Sequence, residues 1–133
     1  MKTVIVLADD EPFIRLAYKE GLERAGYIVE AAENGEEALA KVHAHKPDLV
    51  MLDLMMPKMN GFEVLKRIKS DPDLKHTEVV ILSNLSQAED EKEAAEGGAT
   101  DFLVKSDYSM EQVVDKVKGW VEASMQHLPP RES

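Results

Sequence analysis

Several polar side chains in this chain stand where apolar or β-prone runs stop. Asp9 and Asp10 follow the run 4–8, and Asp53 ends the unbroken run Leu49-Val50-Met51-Leu52. Ser83 closes the run 78–82, and Lys105 closes the run 101–104. Carboxylates gathered in one place repel one another unless a cation joins them. One or two carboxylates with waters and phosphate oxygens are the usual way to hold Mg²⁺, octahedrally and at about 2.0–2.1 Å. Asp10 and Asp53 suit direct ligation, with Asp9 reaching the ion through a water. The metal, the Ser83 hydroxyl and the Lys105 ammonium could then each take one oxygen of a phosphoryl group carried on Asp53. Alone, each residue has a plainer explanation: a solvated acid pair, a turn-starting aspartate, a loop serine, a surface lysine. Their shared position, each at the end of its own run, makes them a pattern.

Short strands must position these groups. Segment 49–52, set between Pro47 and Pro57, is continuously apolar and reads as a strand buried on both faces. Such strands belong to parallel sheets, whose ligands bind beyond the carboxyl ends of the strands. Further strands are expected at 3–8, 27–31, 78–82 and 101–104. Pro12 opens a helix with Asp10 or Glu11 as cap and Ile14, Ala17, Tyr18, Gly21, Leu22 and Ala25 inward, and Gly26 closes it. Asn34-Gly35 turns into a helix lined by Ala38, Leu39 and Val42 and running to about His45. Asn60-Gly61 opens a helix with Phe62, Val64, Leu65 and Ile68, stopped at Asp71-Pro72. A helix over about 87–96 carries Ala88, Ala94 and Ala95 and ends at Gly97-Gly98. Met110, Val113, Val114, Val117, Val121 and Ser124 line a long last helix. Five strand–helix units without an internal repeat predict an α/β fold: a five-stranded parallel doubly wound sheet, order 2-1-3-4-5. That order sets Asp9-Asp10 beside Asp53.

The 133 residues suit one domain over 1–127, followed by a tail at 128–133 that contains Pro129-Pro130. Sixteen basic against 26 acidic side chains give a charge of −10, which disfavours a nucleic-acid surface and favours protein partners. The absence of cysteine suits a reducing cytoplasm. The apolar stretch 4–8 is too short for a signal-peptide core or a membrane span.

Over about residues 3–125 the chain resembles the receiver domains of two-component response regulators, which share a flavodoxin-like (βα)5 fold. The matching pieces are Asp9-Asp10-Glu11-Pro12, the segment 48–57 with Asp53, Asn60-Gly61, Ser83, Gly98-Ala99 and Phe102-Leu103-Val104-Lys105. The resemblance implies that Asp53 accepts a phosphoryl group from the phosphohistidine of a sensor histidine kinase or phosphotransfer protein. It implies Mg²⁺ held by Asp10, Asp53 and the backbone carbonyl of Met55. Ser83 and Phe102 then correspond to the family's switch pair, and the state is relayed to an output protein. The chain would assist its own phosphorylation and dephosphorylation rather than act as an enzyme on other substrates.

Two positions depart from the family pattern. Ser106 stands where a proline in a cis peptide usually follows the lysine, so either the loop carries a strained bond or Lys105 is presented differently. Asn84 stands where a small residue usually follows the switch hydroxyl. Two other classes compete. A metal-dependent phosphatase with an aspartyl nucleophile would have an acid two residues after Asp53, where this chain has Met55. A nucleotide-binding module would have a glycine-rich loop after the first strand, where this chain has Asp9-Asp10-Glu11-Pro12. On the first helix, Phe13 and Leu16 are expected to point outward as apolar anchors for the kinase. Met55 and Leu85 are expected to flank the site without being able to orient a water.

Overall fold

The computed structural model describes residues 2–126. In chain order the elements are β1 (Val4–Ala8), α1 (Pro12–Arg24), β2 (Ile28–Ala32), α2 (Gly35–His45), β3 (Leu49–Asp53) and α3 (Gly61–Ser70). There follow β4 (Glu78–Ser83), α4 (Ala88–Glu96), β5 (Asp101–Val104), a 3₁₀ turn at Lys105–Asp107 and α5 (Met110–Gln126). The strands pair in parallel in the order β2-β1-β3-β4-β5. This is the expected sheet, with strand ends shifted by a residue at most. The expected tail at 128–133 lies outside the described residues.

Alternation along each strand divides the core into two layers. Ile5, Leu7, Leu49, Met51, Val80, Leu82 and Leu103 face α1 and α5, where Tyr18, Leu22, Val113, Val117 and Trp120 meet them. Val6, Ala8, Val50, Leu52, Val79 and Ile81 face the other side, against Ala38, Val42, Val64, Leu65, Ile68 and Ala94. Every residue of β3 is buried, as an apolar run of that length requires. Asp53 is therefore delivered from a fully enclosed strand to the C-terminal edge of the sheet.

The helix starts are fixed by local chemistry close to the site. Asn60 and Glu63 form a reciprocal cap: Asn60 Oδ1 accepts from Glu63 N at 2.9 Å, and Glu63 Oε1 accepts from Asn60 N at 3.2 Å. Gly61 N donates to Leu54 O at 2.9 Å. A Cβ on Gly61 would stand 2.7 Å from the Asp53 carbonyl oxygen, so only glycine lets α3 begin this close to the end of β3.

The inner faces of α1 and α5 differ from the sequence expectation, whereas the caps of α1 fall where expected. Ala17 and Ala25 are exposed, because the buried stripe of α1 runs through Tyr18, Gly21 and Leu22 with Ile14 half-buried. Gly21 is buried against Met110 of α5, whose sulfur would collide with any added Cβ. Glu11 takes the N-cap position of α1 without a capping hydrogen bond from its side chain. At the other end the C-cap is Ala25, with Gly26 just beyond it in the left-handed region at φ 103°. Trp120, absent from the expected inner face of α5, is buried, and its Nε1 donates to Asp101 Oδ2 at 3.3 Å. No helix among the described residues is long and apolar enough to cross a membrane.

Candidate functional site

The loops after β1, β3, β4 and β5 converge at the C-terminal edge of the sheet, where β1 and β3 lie side by side. Asp9 is fully buried there. Its Oδ1 accepts from Glu11 N at 3.0 Å, and its Oδ2 accepts from Lys105 Nζ at 2.7 Å. The same ammonium lies 3.4 Å from Asp53 Oδ2 and 3.6 Å from Glu11 Oε2. Lys105 comes from the 3₁₀ turn after β5, and its peptide bond to Ser106 is trans. The departure at Ser106 therefore coexists with a lysine that reaches both buried acids.

Arg15, one helical turn into α1, donates through Nη1 to the Asp9 carbonyl at 2.8 Å. It fixes the backbone that carries the first two acids.

The pocket is over-negative. Asp9, Asp10, Glu11 and Asp53 each offer a carboxylate oxygen, and these atoms all lie within 4.8 Å of one another. Burial pushes the Asp53 carboxyl from 3.8 up to about 7; Lys105 opposes the rise, while the Asp9 charge and a hydrogen bond shared with Asp10 add to it. Burial alone would lower the Lys105 value, but the Asp9 hydrogen bond and the charges of Asp53, Asp9 and Glu11 together hold it above the ordinary lysine range. Tyr18, beneath the site on α1, is raised first by burial and then by the same acids, against Lys105. A donor set made only of hard carboxylate oxygens, four on one rim with one lysine, fits Mg²⁺.

Residues 5–118 match the family model described as the response regulator receiver domain. The chain belongs to that family.

The receiver is 40% identical over 103 residues to the chemotaxis protein CheY of Thermotoga maritima, covering 76% of this chain and 83% of that protein. It is 36% identical over 125 residues to the transcriptional regulatory protein ResD of Bacillus subtilis, covering 94% of this chain and 50% of ResD. Against the gliding motility regulatory protein of Myxococcus xanthus it spans only 15% of that protein's length. Half or less of such relatives is thus represented here. Among solved structures, Vibrio cholerae CheY4 superposes with a TM-score of 0.84 at 32% identity, covering 90% of this chain and 98% of that one. Membership makes this a two-component response regulator receiver with an acidic pocket, and phospho-acceptor signalling is what the family generally implies.

Of the remaining expected site residues, Met55 and Ser83 line the cleft over Asp53. Ser83 is buried, and its hydroxyl is engaged within its own loop, donating to Leu85 O at 2.8 Å and accepting from Leu85 N at 3.1 Å. Phe102 is half-buried against the α2–α3–α4 side of the core. A cleft of about 300 Å³ opens over Asp53, lined by Met55, Ser83, Asn84, Leu85 and Gln87 among others. Met55 and Leu85 are 72% and 63% exposed, and Phe13 and Leu16 of α1 are 88% and 52% exposed, so all four point outward.

Glu11 belongs to the constellation and was missed by sequence reasoning, which assigned it to the helix cap. Its direct succession to Asp9-Asp10 was the available signal. Arg15 was missed as well, and one helical turn from Glu11 is too common a spacing to have marked it.

Proposed function

We propose that this receiver takes a phosphoryl group onto Asp53 from a phosphohistidine of a sensor histidine kinase or phosphotransfer protein. It then relays that state to an output protein through protein contacts, within the cytoplasm. The observation that carries the proposal is the Asp53 carboxylate, buried at the end of β3, in the acid cluster and 3.4 Å from Lys105. One Asp53 oxygen attacks phosphorus; the new P–O bond forms as the P–N bond breaks, and the imidazole leaves with its electron pair. Bound Mg²⁺ would supply neutralising charge to the phosphoryl oxygens. Asp10, Asp53 and the Met55 carbonyl would hold it, with Asp9 adjoining through a water. Lys105, already paired with Asp9 and Asp53, offers its ammonium to a further oxygen.

Ser83 and Phe102 are the proposed switch pair: the hydroxyl leaves Leu85 for the phosphoryl group, and the ring follows into the space beside β4. The unit is proposed to span residues 1–127, with 128–133 as its tail. Acetyl phosphate with Mg²⁺ should add one phosphoryl group, labile to alkali and hydroxylamine, on the peptide that contains Asp53. Labelling elsewhere would defeat the assignment.

Phe13 and Leu16 are proposed kinase anchors, supported by their exposure beside the acid cluster. Phe13→Ala with Leu16→Ala should cut kinase-driven phosphorylation at least tenfold and leave acetyl-phosphate labelling near wild type. Equal kinase rates would remove that role.

The lifetime of the acyl phosphate follows from which side chains can orient an in-line water. Met55 and Leu85 line the cleft and cannot hydrogen-bond one. Met55→Asn with Leu85→Glu is expected to speed phosphoryl decay several-fold at fixed Mg²⁺ and pH, since each 1.36 kcal/mol is tenfold in rate. Equal decay in both proteins would assign the lifetime to other groups.

A further inference from the structure

β3 lies between β1 and β4 in the sheet, so any contact from the loop after β1 to the loop after β4 passes over the strand end that carries Asp53. One such contact exists. Asn84 Nδ2 donates to Glu11 Oε2 at 3.4 Å, and that same oxygen faces Lys105 Nζ at 3.6 Å. Asn84 is the residue next to Ser83, and both line the cleft above Asp53.

From this we infer that Glu11 and Asn84 form a strap across the mouth of the phosphoryl pocket, which a donor must open to reach Asp53. The inference rests on the reading of Asp53 as the acceptor. Both are positioning residues: Asn84 acts on the loop that carries Ser83, and Glu11 acts through Lys105. The strap also explains how three loops can move together. Glu11 is shared between the Lys105 ammonium and the Asn84 amide, so drawing Lys105 toward a phosphoryl group changes what Asn84 is bound to. While the strap is shut, the Ser83 hydroxyl stays with Leu85.

A single long hydrogen bond between partly exposed groups is weak. The device is accordingly a gate that slows access by a small factor and opens readily.

Two measurements on the full chain test it. The first is amide hydrogen exchange across 84–87 without any donor or metal. Glu11→Ala and Asn84→Leu should each speed exchange about two- to fivefold, and the double variant should go no faster than the faster single one. Asn84→Leu keeps the branched shape and removes the donor, and Glu11→Gln preserves an acceptor and removes the charge. Glu11→Gln should therefore stay near wild type. Wild-type exchange in both Glu11→Ala and Asn84→Leu overturns the strap, and so does Glu11→Gln matching Glu11→Ala.

The second measurement is the initial rate of labelling by acetyl phosphate with saturating Mg²⁺. Asn84→Leu should raise it by a similar factor, and an unchanged rate overturns the gating role. A wild-type protein that takes no label at all would defeat the acceptor assignment instead, and the exchange result would still decide the strap.

Discussion

Asp53→Asn should abolish the acyl phosphate and, at pH 8, leave a protein more stable than the wild type. The Asp53 carboxyl is raised from 3.8 to about 7 in the folded chain, chiefly by burial. A carboxyl raised on folding contributes stability that is present below its ordinary value and is lost as pH climbs through the folded value. The full rise is worth on the order of 4 kcal/mol above pH 8. Asparagine keeps the shape and removes the charge, and the rise already contains the opposing 3.4 Å approach of Lys105. The net gain is expected at about 2–4 kcal/mol, or roughly 5–15 °C in Tm. The advantage should open between about pH 4 and 7, hold above that range and vanish at lower pH. Thermal unfolding from pH 3.5 to 8.5 without Mg²⁺ checks this; a mutant less stable than wild type at pH 8 would show that Lys105 outweighs burial.

Lys105→Met should do the opposite. It leaves Asp9, fully buried, with its ammonium partner gone and three further carboxylates at hand. Removing one member of a buried pair costs about 3–5 kcal/mol, because the other charge stays desolvated and uncompensated. The loss should be greatest at pH 8 and should shrink as acid protonates Asp53, whose carboxyl loses the cation that opposes its rise. Mg²⁺ should restore more Tm in this variant than in the wild type, by binding the folded state alone. Phosphorylation should fall at least a hundredfold, with the ammonium missing from the developing charge. A Tm within 2 °C of wild type at pH 8, roughly half a kcal/mol, would mean that the acids share protons or water instead of relying on Lys105.

These opposite signs bear on how much of the site could be read before the fold was seen. Strand ends were legible because each buried strand is a short apolar run that a polar residue must terminate. The positions of Asp9, Asp10, Asp53, Ser83 and Lys105 follow from that rule and from the sheet order. The pairing within the cluster was not legible. Asp9 was expected beside the metal through a water, yet its shortest contact is to Lys105, 96 residues away. No spacing in a sequence reports which of several acids a distant ammonium will choose; burial decides it, and Asp9 is the more enclosed. The exposure of Ala17 has a similar cause. Helical periodicity marked the right face of α1, but Met110 of α5 fills the hollow at Gly21 and sets where that face ends. Trp120 escaped notice because the apolar count on α5 was already satisfied by valines, and an indole can join the core only where its N–H finds an acceptor such as Asp101.

That indole has one more consequence. Trp120 is the chain's single tryptophan, and its ring packs among Leu103 and Val117 with its N–H on the residue immediately before Phe102. Excitation at the red edge of protein absorbance therefore reports from one fixed place, at the start of β5 rather than at the strand ends that carry the acid cluster. A rearrangement of Phe102 would alter the acceptor strength of Asp101 and the polarity around the ring, and so move the emission maximum without any attached dye. Chemistry confined to Asp53 would leave the spectrum still. The fold thus carries an internal optical marker that separates the arrival of a ligand at the pocket from the response of the fifth strand.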